Sequence, residues 1–192
     1  MISAADKDML LEKVNCHADV YVTVDATKMN IQTILKLLNE LVPVLSRNNK
    51  QALVLVNPFL NETSANALCS AAEACKSIRI GYVLSDLRFH EARQTLQVFK
   101  HNNVPLRVVV DFANTSYETL VQLLPQTEKA HNDLNIVFMI TDKPDEEFFK
   151  NTVWLCRSYN IKPKILREPT DLAWLYESPH YKFYKRHIED VV

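Results

Sequence analysis

Side chains carrying oxygen atoms follow nearly every stretch of the sequence that predicts a β-strand. Of the first five such stretches, four are followed by a carboxylate and one by an amide, namely Asp25, Asn57, Asp86, Asp111 and Asp142. Open parallel sheets hold their ligands outside the carboxyl ends of the strands, near the point where the strand order reverses. We therefore expect these groups to converge at one edge of a sheet.

Two uses of these side chains are open from the sequence. As ligands of Mg²⁺ or Mn²⁺, Asp25, Asp86, Asp111 and Asp142 would serve a phosphate-ester enzyme of the phosphatase or nuclease type. As helix caps, they would accept hydrogen bonds from backbone N–H groups of the helix that follows each strand. We favour the caps and assign no cofactor and no catalytic residue. The five side chains, together with Ser85 and Lys143, are the candidate ligand-binding residues.

The composition argues against several other chemistries. The chain of 192 residues has one glycine, Gly81, whereas a dinucleotide fingerprint, a P-loop and a nucleophile elbow each need at least two. Its 22 basic and 23 acidic residues leave a net charge of -1, so no overall field recruits nucleic acid or anionic lipid. With neither a signal-peptide pattern nor an apolar run long enough for a membrane span, the sequence predicts a cytoplasmic protein.

Short β-rich runs alternate along the chain with longer stretches of helical period. The runs cover residues 20–24, 52–56, 78–84, 106–110, 136–140 and 164–166. The helical stretches cover residues 29–46, 63–75, 89–102, 116–132, 146–160 and 170–176. Prolines at 43 and 125 are expected to kink or restart two of these helices. The alternation predicts a doubly wound α/β domain, with a mostly parallel sheet of five to six strands and helices on both faces.

We expect the domain to span residues 19–176, between an N-terminal helical extension over 1–18 and a C-terminal tail over 177–192. In the extension, Ser3 is a candidate cap for a helix over residues 4–14. Five aromatic side chains lie within eleven positions near the end of the chain: Trp174, Tyr176, Tyr181, Phe183 and Tyr184. Because their combined apolar area is large, we expect most of them to be buried against the domain or across a homodimer contact. Nucleic acid, which stacked aromatics among basic groups can also bind, is the less favoured partner.

Three of the helical stretches end in a similar sequence that contains asparagine. They end in Arg47-Asn48-Asn49, Asn102-Asn103-Val104 and Tyr159-Asn160-Ile161, and strands follow each of them. Internal duplication would produce this pattern, and so would any series of alternating strands and helices.

Residues 135–175 read NIVFMITDKPDEEFFKNTVWLCRSYNIKPKILREPTDLAWL. This segment resembles the closing portion of the STAS/SpoIIAA-like family, with a strand, a long helix, a short strand and a helix ending in Ala-Trp-Leu. The resemblance implies a non-enzymatic cytoplasmic regulatory or protein-interaction domain of α/β type. Within the segment, Asp142-Lys143-Pro144 is similar to the Lys-Pro that follows the last strand of bacterial receiver domains.

Overall fold

The chain divides into two compact units. The computed structural model describes residues 2–3, 11–12, 21–57, 61–127, 136–166 and 172–189. The first unit comprises Met1–Val83 and His90–Arg107, and the second comprises Leu84–Phe89 and Val108–Val192.

The first unit is built on parallel strands that follow one another in chain order. Strand β1 (Ile2–Ser3) pairs with β2 (Tyr21–Asp25), β2 with β3 (Gln51–Val56), and β3 with β4 (Ile78–Leu84). The helices are α1 (Ile31–Arg47), α2 (Glu62–Ala74) and α3 (Phe89–His101), of which α1 and α2 contact each other. Continuous runs of Val, Leu and Ile bury both faces of β3 and β4, which is typical of parallel strands covered on two sides.

The second unit repeats this construction with fewer strands. Strand β5 (Leu106–Asp111) pairs in parallel with β6 (Ile136–Met139), and β6 pairs in parallel with β7 (Lys164–Ile165). A 3-10 turn covers Asp86–Arg88. The helices of this unit are α4 (Tyr117–Thr127), α5 (Glu146–Ser158), α6 (Ala173–Glu177) and α7 (Tyr181–His187).

The predicted α/β class with parallel pairing is confirmed. The six predicted runs correspond to β2 through β7, and Val54 and Val109, which lie in two of these strands, are fully buried. A doubly wound sheet has a point where the strand order reverses. The strand pairs described within each unit instead follow chain order without a reversal.

Pro43 and Pro125 do not restart their helices, since α1 and α4 continue through them. In α1 the proline removes one backbone hydrogen bond, while the stripe of Ile34, Leu38, Leu41 and Leu45 remains buried and holds the helix in place. At the N-terminus, Ser3 lies in β1 opposite Asp25. Of the helix expected over residues 4–14, only 11 and 12 fall within the described residues, and both are helical.

Asparagine ends three of the helices in a conformation that usually requires glycine. Asn49, Asn103 and Asn160 have positive φ angles of 51°, 57° and 56°. The backbone N–H of the following residue donates to a carbonyl in the last helical turn, from Lys50 to Leu45, from Val104 to Phe99 and from Ile161 to Cys156, each at 2.9 Å. This is the Schellman ending, in which glycine is the commonest residue and asparagine the usual substitute. One turn chemistry used three times therefore accounts for the similar helix endings in the sequence.

Three cysteines, Cys69, Cys75 and Cys156, are buried free thiols. Cys16 lies outside the described residues. In the described part of the chain, no helix combines the length and the apolar character that crossing a membrane requires.

Candidate functional site

The candidate residues of the first unit stabilise turns. Asp25 ends β2, and its Oδ1 accepts hydrogen bonds from the backbone N–H of Thr27 at 3.0 Å and from the Thr27 hydroxyl at 2.6 Å. The cap of α1 is Asn30, whose Oδ1 accepts from the Thr33 N–H at 2.9 Å. Asn57 has a buried Oδ1 without a hydrogen-bond partner in the described part of the chain. The cap of the helix after it is Asn61, which accepts from the Ser64 N–H.

In the second unit, Asp111 at the end of β5 stabilises the loop that follows this strand. Asp111 is 9% exposed, and its Oδ1 accepts from the Ala113 N–H at 3.0 Å. Its Oδ2 accepts from the Asn114 amide at 2.7 Å. Both oxygens of Asp111 are therefore engaged within three residues of their own position.

Asp86 links the loop after β4 to the loop after β5 through hydrogen bonds. Its Oδ1 accepts three hydrogen bonds, from the Ser116 N–H at 2.8 Å, the Ser116 hydroxyl at 3.0 Å and the Thr119 hydroxyl at 2.7 Å. The Asp86 N–H donates to the Asn114 carbonyl at 3.0 Å, and the buried Thr115 hydroxyl donates to the Leu84 carbonyl at 2.8 Å. We call residues 84–89 and 111–119 the loop pair. Asp86 thus stabilises the start of α4, a helix that begins about thirty residues after it.

The charge on Asp86 suits this position. Partial burial raises the pKa of the Asp86 carboxyl, but hydrogen bonds from the Ser116 backbone and from the hydroxyls of Thr119 and Ser116 outweigh that effect. The pKa consequently lies below its ordinary value of 3.8. An ionised carboxylate at the N-terminus of α4 also interacts favourably with the helix dipole.

We expect Asp86→Ala to lower the free energy of unfolding by about 1 kcal/mol at neutral pH, as the loss of a helix-capping acceptor does. Asp86→Asn keeps an acceptor oxygen and should cost less. Because the pKa of Asp86 is lower in the folded chain, its contribution is fully present above pH 3.8 and is lost as the pH falls through the folded value. Urea unfolding at several pH values measures this difference.

The control for this prediction is Asp142→Ala, since Asp142 is exposed and has no hydrogen bond to a described residue. Equal losses of stability for the two alanine variants, or a loss for Asp86→Ala that persists well below pH 3.8, would contradict the role given to Asp86.

The prediction that the residue at each strand end caps the helix that follows it is wrong. Of the strand-end residues, Asp25 and Asp111 hold turns, Asp86 serves a different helix, and Ser85 makes no capping hydrogen bond with its side chain. The observed caps stand later in each loop: Asn30, Asn61, Ser116 and Asp145. A turn of several residues separates each strand end from the next helix, so a residue directly after the strand comes too early to cap it.

Two further candidates lie in another loop of the second unit. Asp142 and Lys143 are exposed in the loop before α5, where Asp145 caps the helix by accepting from the Phe148 N–H at 2.8 Å. Asp25 belongs to the first unit, whereas Asp86, Asp111 and Asp142 belong to the second. Among the residues that the structure describes, no three His, Cys, Asp or Glu side chains form a group that could hold a metal ion.

The C-terminal aromatics pack on α5. The ring of Phe149 meets Trp174 at 5.1 Å and Tyr184 at 5.0 Å between centroids. Tyr184 is fully buried, Trp174, Tyr181 and Phe183 are partly buried, and Tyr176 is 57% exposed. The expected burial on the domain therefore holds for part of this set. Beyond α7, the Glu189 N–H donates to the Pro163 carbonyl, and the Glu189 carboxylate pairs with Lys164 at 3.4 Å.

Aromatic and cationic side chains on α5 and α7 form a partly exposed surface. Trp154 is 46% exposed, its ring is stacked on Phe183 at 5.0 Å with 27° between the planes, and the Arg157 guanidinium lies 4.6 Å from its centroid. Phe183 also contacts the His187 ring at 4.7 Å. We call Trp154, Arg157, Phe183 and His187 the aromatic surface.

Trp154 and Arg157 were not among the residues singled out from the sequence, although a signal was present. The buried positions of α5 are Phe149, Thr152, Val153 and Cys156, which recur at intervals of three and four. Trp154 is out of phase with that stripe, so helical periodicity alone places a large aromatic side chain toward solvent.

No family model matches this chain, and no curated protein or solved structure matches it either. One detail of the family resemblance needs correction, since Ala173-Trp174-Leu175 begins helix α6 and does not end it.

Proposed function

We propose that the chain is a non-enzymatic cytoplasmic regulatory or protein-interaction domain, and that it contacts its protein partner through the aromatic surface. The observation that carries the proposal is Trp154, which is 46% exposed although Phe183 and Arg157 hold its ring in place. Tryptophan and arginine are enriched among the residues that dominate binding energy at protein interfaces. A ring that is already positioned needs little rearrangement to bind.

The use of the strand-end carboxylates supports the same proposal. Asp25, Asp86 and Asp111 each accept two or more hydrogen bonds from the loops of their own unit, which assigns them a structural role. The resemblance of residues 135–175 to the STAS/SpoIIAA-like family implies the same class of function. The metal-dependent phosphate-ester enzyme is the competing hypothesis, and it makes an opposite prediction about metal binding.

A photo-crosslinking amino acid at position 151 tests the proposal. Asn151 is exposed one helical turn before Trp154, so a probe there lies beside the aromatic surface. We expect it to form adducts with a protein, either in an extract of the cells that produce this chain or in the purified sample. Adding Trp154→Ala should abolish them. A probe at Ser70, which is exposed on α2, is the matched control.

Two results would overturn this function. One is equal adduct formation from positions 151 and 70, or none from either. The other is a clear rise in melting temperature with millimolar Mg²⁺ or Mn²⁺ that Asp25→Asn or Asp86→Asn removes, because a ligand that binds only the folded chain stabilises it by mass action. We expect a shift of no more than about one degree, as negligible binding free energy implies.

A further inference from the structure

Helix α5 has opposite charges at its two ends. Its first turn begins at the cap Asp145 and contains Glu146 and Glu147, all of them exposed. Its last turn contains the exposed Arg157, and Lys162 follows shortly after the helix. At 1.5 Å of rise per residue, Glu147 and Arg157 lie about 15 Å apart along the axis.

The charged residues and the exposed tryptophan share one side of the helix. Glu147 precedes Trp154 by seven residues, which places the two within about 20° of each other around the axis. Arg157 is about 60° from Trp154 by the same geometry. An acidic group, an aromatic ring and a basic group therefore follow one another along the outer face of α5.

The basic end is a concentration of like charges. Burial, and then the positive charges of Arg157, Arg186 and Lys162, lower the pKa of the His187 imidazole below its ordinary value. Mutual repulsion among these cations favours an anionic group placed against them. At the acidic end of α5, residues 142–147 contain four carboxylates and one lysine, so their net charge is negative and complementary. These residues are Asp142, Lys143, Asp145, Glu146 and Glu147.

Resting on the function proposed above, we infer that the partner of the aromatic surface is a second copy of this chain, with the two α5 helices antiparallel about a two-fold axis. Such an axis uses the same patch on both copies. If the two-fold axis passes beside position 152, midway between 147 and 157, then Glu147 of each copy lies next to Arg157 of the other copy along the helix direction. The two Trp154 rings then flank the axis, each about 3 Å from it along the helix direction.

Sedimentation of charge-reversed variants tests this arrangement. The two-fold axis makes the pair between positions 147 and 157 occur twice in the dimer. Arg157→Glu or Glu147→Arg alone turns both pairs into like charges and should raise the dimer Kd by about tenfold or more. The double variant restores both opposite-charge pairs, although it lacks the Arg157 contact with Trp154, and should therefore dimerise more tightly than either single variant. An equimolar mixture of the two single variants should form a heterodimer. Wild-type association should also weaken with rising salt, because these charges are exposed to solvent.

The inference is overturned if the wild-type chain is monomeric at every concentration tested. It also falls if the double variant stays as weak as the single variants, provided that circular dichroism shows all of them folded. If the wild-type chain is monomeric while the probe at position 151 captures a different protein through Trp154, the interaction function stands and only the second copy is excluded.

Discussion

Replacing Phe149 with alanine is expected to lower the free energy of unfolding by about 3–5 kcal/mol, the range for removing a buried aromatic ring. Phe149 is fully buried in the second unit, and its ring contacts those of Phe112, Phe138, Trp174 and Tyr184 at 5.0 to 5.8 Å. The contacts reach strand β6, helix α6 and helix α7, so the cavity left by alanine would loosen several elements at once. Urea unfolding followed by circular dichroism gives the change.

Phe148 provides a matched control for this substitution. It is the same residue type, one position earlier on the same helix, but it is partly exposed and its ring is tilted against Phe112 at 5.2 Å. Phe148→Ala should therefore cost less than half as much as Phe149→Ala. If the two variants were equally stable, the aromatic cluster around Phe149 would not be the core of the second unit.

Cys156 is expected to be nearly inert toward alkylating reagents while the chain is folded. Burial raises the pKa of the Cys156 thiol from 9.0 to about 12. Since the thiolate is the nucleophile, a pKa higher by about three units leaves roughly a thousandfold less of it at mildly alkaline pH. Iodoacetamide labelling with peptide-level mass spectrometry measures the rate at this position.

The same cysteine should become reactive when the second unit unfolds. Labelling of Cys156 across a urea series should follow the unfolding transition, and Phe149→Ala should move that labelling to lower urea. Rapid labelling of Cys156 in the native chain, within about tenfold of the rate in denaturant, would contradict the buried state described here.

The strands were the most predictable part of this fold. Runs such as 52–56 and 106–110 consist of Val, Leu, Ala and one Arg, and that pattern reads as a strand buried on both faces. Helix positions were nearly as clear, because apolar residues at intervals of three and four in α1 mark the buried stripe. The order of the strands within each unit was beyond the sequence, since periodicity does not say which strand lies beside which.

The connections made by single polar side chains were harder to predict. Aspartate directly after a strand is compatible with a cap, a turn or a ligand, and only the distances separate these uses. Asp86 accepts hydrogen bonds from Ser116 and Thr119, which lie thirty or more residues away, so no local sequence pattern indicates this contact. The aromatic surface joins Trp154 of α5 with Phe183 of α7 in the same way. Both sites depend on tertiary packing that a single sequence does not reveal.

The three left-handed asparagines also affect the unfolded chain. Glycine has more backbone conformational entropy to lose on folding than any other residue, and relative to alanine this costs about 0.5–1 kcal/mol in regular structure. By ending helices with Asn49, Asn103 and Asn160, the sequence makes these turns without adding that freedom to its denatured ensemble. With one glycine in 192 residues, the denatured ensemble is stiffer than that of an average chain of this length, and the entropy that opposes folding is correspondingly smaller.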